Sequence, residues 1–77
     1  MYITVKYFGQ IVEVTNTQEE IIEVSGSQVS DLLEVLNSKY DQLDNKDFQI
    51  AQNQELVLPE TELTGLEIAL LPPFAGG

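Results

Sequence analysis

The chain contains no cysteine, no histidine, no arginine and no tryptophan. Without cysteine there is no disulfide, no thiol nucleophile and no iron–sulfur ligand. Without histidine as well, the common zinc-binding sets and imidazole acid–base chemistry are also gone. The missing cysteine fits a reducing compartment, and a cytoplasmic location is expected. Positive charge is equally scarce: three lysines stand against thirteen carboxylates, for a net charge of -10. Such a surface repels nucleic acid and anionic membranes at long range and makes a basic protein surface the natural complement. No apolar run approaches membrane-spanning length, and no basic start leads into the apolar stretch of a secretory leader. A soluble, unprocessed chain with neither a nucleic-acid nor a membrane partner is expected.

What is present is enough for one small folded domain. The 77 residues are 43% hydrophobic, near the lower size limit for a self-sufficient core. From Tyr2 to Phe8, residues Ile3, Val5 and Tyr7 alternate with Tyr2, Thr4, Lys6 and Phe8, a strand pattern rich in β-branched and aromatic side chains. Gly9 and Gln10 break it, and Ile11, Val12 and Val14 pack a short connecting turn before the polar stretch Thr15 to Gln18. A second strand over Glu19–Val24 puts Ile22 and Val24 on one face and Ile21 on the other, giving a hairpin or meander. After the loop Ser25-Gly26-Ser27, Val29, Leu32, Leu33, Leu36 and Tyr40 follow helical spacing. This predicts a helix from Gln28 to about Tyr40 with Ser27 as its N-cap. Asp31 and Glu34 sit early on its solvent side and Lys39 late, the order its dipole favours.

Asp41–Asp47 lacks periodicity and reads as a loop. Short strands are expected over Phe48–Asn53 and Glu55–Leu58, joined by a turn at Asn53-Gln54 and closed by Pro59. Thr61–Gly65 forms a turn before Leu66–Leu71, which is nearly all apolar, as expected of a strand covered on both sides or lying centrally under a helix. Two strands, a helix and two or three more strands make an α+β fold. One main helix covers one face of a mixed sheet of four to five strands, with the first and last strands paired in parallel at the centre. That arrangement is the ubiquitin-like β-grasp. Residues 1–71 form this domain and residues 72–77 an extended C-terminal tail. Ferredoxins share the plan but need clustered cysteines, which this chain lacks.

The tail, Pro72-Pro73-Phe74-Ala75-Gly76-Gly77, carries the chemistry. Pro72 and Pro73 stiffen the exit from the sheet, and Phe74 offers an aromatic group to a receiving partner. Gly76 and Gly77 present a strip of backbone narrow enough to enter a channel that any Cβ would block. Extended, six residues reach about 20 Å, far enough to enter another protein's active site. Ala75 completes the segment that would line such a channel. The reactive group is the carboxylate of Gly77, ionised at neutral pH and a poor electrophile until activated. Adenylation by ATP would make a mixed anhydride, from which a sulfur nucleophile displaces AMP to leave a thiocarboxylate. A protein without cysteine could carry sulfur in this way; isopeptide formation with an amine is the competing outcome.

The whole chain resembles the small subunit of molybdopterin synthase. The likeness runs through Tyr7-Phe8, the helix from Gln28, Ala51-Gln52-Asn53 and above all Leu71-Pro72-Pro73-Phe74-Ala75-Gly76-Gly77. Thiamin-pathway sulfur carriers are usually shorter and tend to lack the double proline. Ubiquitin-type modifiers usually place basic residues before their glycines, and this tail has none. The resemblance implies that an E1-like adenylating enzyme, using Mg-ATP, converts Gly77 to a glycyl adenylate. A sulfurtransferase or cysteine desulfurase then supplies the sulfur of a C-terminal 1-thioglycine. That thiocarboxylate would donate sulfur for the conversion of cyclic pyranopterin monophosphate (precursor Z) to molybdopterin in molybdenum cofactor biosynthesis. It implies a sulfur-donor subunit with no permanently bound cofactor, in a heterotetramer of two small and two large subunits, with the catalytic side chains on the large ones. Two departures stand out: Phe74 where family tails often carry a smaller residue such as Val, and Val12 where many relatives carry Arg before the Glu. A carrier for thiamin or tRNA thiolation and a ubiquitin-like modifier or interaction module are the alternatives.

Overall fold

The computed structural model describes residues 1–45, 47–64 and 67–73. The first strand, β1 (Tyr2–Tyr7), buries Ile3, Val5 and Tyr7 on one face, as the alternation requires. Phe8 lies just past its end. The expected connecting turn is instead a short helix, α1 (Ile11–Thr15). Its buried ends, Ile11 and Thr15, are four residues apart on one side, and Asn16 stops it in the left-handed conformation at φ 60°. Five residues are too few to show a helical period in sequence. The chain returns along β2 (Glu19–Glu23), antiparallel to β1, with Ile22 opposite Ile3 in the core and Ile21 outward.

The main helix, α2 (Val29–Lys39), buries Val29, Leu32 and Leu36 against the sheet. Its N-cap is Gln28, not the expected Ser27. Asp31 explains the shift: its carboxylate turns back from the first turn and accepts the backbone N–H groups of Gln28 at 2.9 Å and Ser27 at 3.0 Å. It therefore holds the N–H groups of the cap residue and of the residue before it, while Glu34 stays exposed. A Cβ on Gly26 would overlap the Asp31 carboxylate, so the carboxylate takes its place in the cap because this loop position is glycine. The expected loop after the helix contains a 3₁₀ helix, Asp41–Asn45, whose Leu43 is fully buried. One apolar residue among polar ones supplies a core contact without supplying a period.

Three strands complete the sheet: β3 (Gln49–Gln52), β4 (Glu55–Val57) and β5 (Glu67–Leu71). β3 is two residues shorter than expected and β4 one; Gly65 and Leu66, where the last strand was expected to begin, lie outside the described residues. Asn53 and Gln54 make the predicted turn, both with positive φ (54° and 71°), as a two-residue hairpin requires. The strand order is β2-β1-β5-β3-β4. β1 and β5 pair in parallel at the centre, and β3 pairs antiparallel with β5. The fold is thus the expected β-grasp: a mixed five-stranded sheet with α2 on one face.

Buried Gln52 holds the link between the sheet and the returning loop. Its side-chain amide donates to the Glu62 carbonyl and its oxygen accepts the Thr64 N–H, both at 3.0 Å. Across the other side of the core, Glu20 accepts the hydroxyls of Tyr7, at 2.6 Å, and of Tyr40, and pairs with Lys39. The two tyrosine rings meet edge to face with centroids 6.3 Å apart. This cluster ties the end of α2 to the first two strands.

Candidate functional site

The expected site is the tail, and the structure describes its root. Pro72 and Pro73 follow β5 directly; Phe74, Ala75, Gly76 and Gly77 lie outside the described residues. The root leaves from a strand hydrogen-bonded on both sides. Tyr7 lies opposite Leu70 in the parallel register, and the Phe8 N–H donates to the Leu70 carbonyl at 3.1 Å. On the other flank Leu71 lies opposite Gln49. Any load on the tail therefore meets a firm base.

Pro72 is also confined from the side. Gly9 has φ +60°, and a Cβ placed on it would stand 2.7 Å from the Pro72 Cγ. Gly9 was read in sequence only as the break after β1. Its closeness to a residue 63 positions later comes from the parallel pairing and had no local signal.

The face of the sheet away from α2 runs up to this root. One row across it is Glu19, Lys6, Ala69, Ala51 and Leu56, set by the registers of the five strands. Leu56 is 63% exposed, and Ile21 and Tyr2 on the same face are 68% and 67% exposed. Half-buried Leu71 belongs to this face, and exposed Phe8 adds an aromatic ring beside the root. Exposed apolar side chains toward its two edges and small residues at its centre, beside the Lys6–Glu67 pair, give this face the form of a docking surface. Sequence patterning placed Ile21 outward but did not single out Tyr2, Phe8 or Leu56 as surface groups.

The same face carries a charge pair. Lys6 pairs with Glu67 at 2.9 Å, and the hydrogen bond it donates to that carboxylate raises the lysine pKa. Lys39 is paired too, with Glu20 on the helix side, which likewise raises its pKa. Burial alone would push the Glu20 carboxyl up, but hydrogen bonds from Lys39, Tyr40 and Tyr7 outweigh it and hold the pKa below the ordinary value. Burial first, then the Glu20 contact, pushes the Tyr7 phenol far above its usual range. These shifts come from structural pairing: the cluster lies in the packing between sheet and helix and satisfies its own donors.

The β-grasp and its projecting root define a carrier of the ubiquitin-like type, and comparison with known proteins agrees. Residues 5–77 match the ThiS family, and the chain belongs to that family of ubiquitin-like sulfur carriers. Among solved structures, a protein of Pyrococcus furiosus named as a molybdopterin converting factor, subunit 1, is 26% identical. The match covers 95% of this chain and 98% of that one with a TM-score of 0.87. The complex of subunits 1 and 2 of the molybdopterin-converting factor from Helicobacter pylori 26695 contains a chain that is 28% identical, covered fully on both sides with a TM-score of 0.72. The small archaeal modifier protein 1 of Methanosarcina acetivorans is also 28% identical, over 99% of this chain and 96% of that one, with a TM-score of 0.79. Among the described residues no helix is long and apolar enough to cross a membrane.

Proposed function

We propose that this chain is the sulfur-carrying small subunit of a molybdopterin synthase and that the carboxylate of Gly77 carries the sulfur. The single observation that supports this most is the tail root. A Pro72-Pro73 exit from a doubly paired central strand stands beside an exposed apolar sheet face, so a partner can hold the body while receiving the tail. The likeness to subunit 1 of a two-subunit molybdopterin-converting factor supports the pathway.

In this reading an E1-like enzyme binds the body through the sheet face and Mg-ATP in its own site. The Gly77 carboxylate attacks the α-phosphorus, pyrophosphate leaves, and a glycyl adenylate forms. The persulfide of a sulfurtransferase or cysteine desulfurase attacks the acyl carbon and displaces AMP, and a thiol then cleaves the acyl disulfide so formed, leaving the thiocarboxylate and a new disulfide on the donor side. The large subunit then takes Phe74, Ala75, Gly76 and Gly77 into its channel, and the thiocarboxylate adds sulfur to the pyranopterin precursor. The assembly is a heterotetramer of two small and two large subunits. The carrier supplies reach, a narrow terminus and a docking face, while the phosphate-binding cations come from its partners, in keeping with a chain that has no arginine.

Intact mass before and after incubation with ATP, the adenylating enzyme and a sulfur donor tests the carrier step. A gain equal to exchanging one oxygen for one sulfur is expected, and none in a Gly77 deletion. Molybdopterin formed from the loaded chain and a large subunit then tests the pathway. Unchanged molybdopterin formation by the deletion would sink the proposal. The modifier reading draws on the likeness to the small archaeal modifier protein; lysine adducts ending in Gly77 would favour it.

A further inference from the structure

We infer that Gly9 is a positioning residue for the C-terminal tail, acting through Pro72. The inference rests on the reading that Gly77 is the group to be activated. Gly9 cannot retreat from Pro72, because its carbonyl accepts the Val12 N–H at 3.2 Å as α1 begins and Ile11 beside it is buried. The Phe8 N–H is meanwhile bound to Leu70, two residues before Pro72. The root of the tail is thus held by the chain ahead of it and touched from the side by Gly9, whose missing Cβ leaves room for the proline ring.

The distances say what a side chain there would do. A Cβ on Gly9 would lie 2.7 Å from the Pro72 Cγ but 3.7 Å from its Cβ and Cδ. Non-bonded carbons settle at about 3.5–4.0 Å, so the ring would have to move by about 1 Å. Over the 3.8 Å between consecutive Cα atoms that is a swing of roughly 15°. Proline fixes φ at Pro72 and again at Pro73, so only ψ and the ring pucker remain to absorb the swing. A misplacement of about 1 Å can reduce a reaction rate by about a hundredfold, which makes the seat of Pro72 matter to whatever acts on the terminus.

Glycine at positive φ has a second explanation, backbone strain, and the geometry separates the two. In a Pro72→Ala background Cγ is gone, and the nearest remaining carbon is the Cβ at an ordinary 3.7 Å. Backbone strain from Gly9→Ala is the same in both backgrounds; the contact exists only with proline. The experiment is a double-mutant cycle of Gly9→Ala and Pro72→Ala in the full chain. It is read by the amide resonances of Phe74 and Ala75, by melting temperature, and by ATP–pyrophosphate exchange with the adenylating enzyme.

With Pro72 present, Gly9→Ala is expected to move the tail resonances and lower kcat about tenfold with KM little changed, since the docking face is untouched. In the Pro72→Ala background, Gly9→Ala moves neither, and the fall in melting temperature is smaller there because only the backbone strain remains. Equal resonance changes in both backgrounds would overturn the contact. Moved resonances with unchanged exchange would overturn the positioning role. A wild-type chain that is never activated defeats the proposed function instead, and the resonances alone then decide the contact.

Discussion

Glu20 on β2 accepts the hydroxyl of Tyr7 on β1 at 2.6 Å, and through the same carboxylate both strands are tied to Tyr40 and Lys39 at the end of α2. The Glu20 side chain is only 16% exposed, so these bonds are largely shielded from water. Glu20→Gln keeps the shape but turns an amide donor toward other donors. A loss of about 1–3 kcal/mol is expected, measured by urea denaturation at neutral pH.

The same carboxyl makes that loss depend on pH. Its folded pKa lies below the ordinary value of 4.5, so its stabilisation is complete above that value and disappears as pH falls through the lower folded one. The melting-temperature gap between wild type and Glu20→Gln should be widest at neutral pH and narrow as pH falls below the ordinary carboxyl value. A gap that stays constant over this range would contradict the assignment of the shift to Glu20.

Gly26→Ala places a methyl group on the Asp31 carboxylate and should open the cap at the start of α2. Loss of a cap destabilises by about 0.5–2 kcal/mol. Once Asp31→Ala has removed the carboxylate, Gly26→Ala should do little further harm. Denaturation midpoints of the two single variants and the double variant check this, and additive losses would count against it.

Leu56→Glu alters an exposed side chain on the sheet face and should leave the stability within about 0.5 kcal/mol of wild type. If that face seats the partner, affinity for the large subunit should fall at least tenfold, or about 1.4 kcal/mol. Calorimetric titration provides the number. With a net charge of -10 on this chain, association should also slow as salt is added, provided that the partner's surface is basic.

Much of the architecture was legible because it is written in local periods. The alternation in β1 and the spacing from Val29 to Leu36 marked one strand and one helix, and the apolar run ending at Leu71 suited the central place that β5 takes in the sheet. What escaped was either too short for a period, as with α1 and the 3₁₀ helix around Leu43, or depended on side chains finding distant partners. Ser27 looked like the better cap, but Asp31 could reach back because Gly26 left space. Gln52 in a strand gave no sign that it would bind the loop at Glu62 and Thr64. The candidate site divided in the same way. Pro72 and Pro73 announced a tail, whereas the seat made by Gly9 existed only once β1 and β5 were side by side.

The parallel placement of β5 between β1 and β3 has a mechanical consequence. A partner drawing Gly77 into a channel pulls along β5, and the hydrogen bonds to both neighbours take the force together in shear. An edge strand tugged outward would be peeled away one bond at a time. With its last strand anchored on both sides, the domain can be held by its own terminus without fraying from that end.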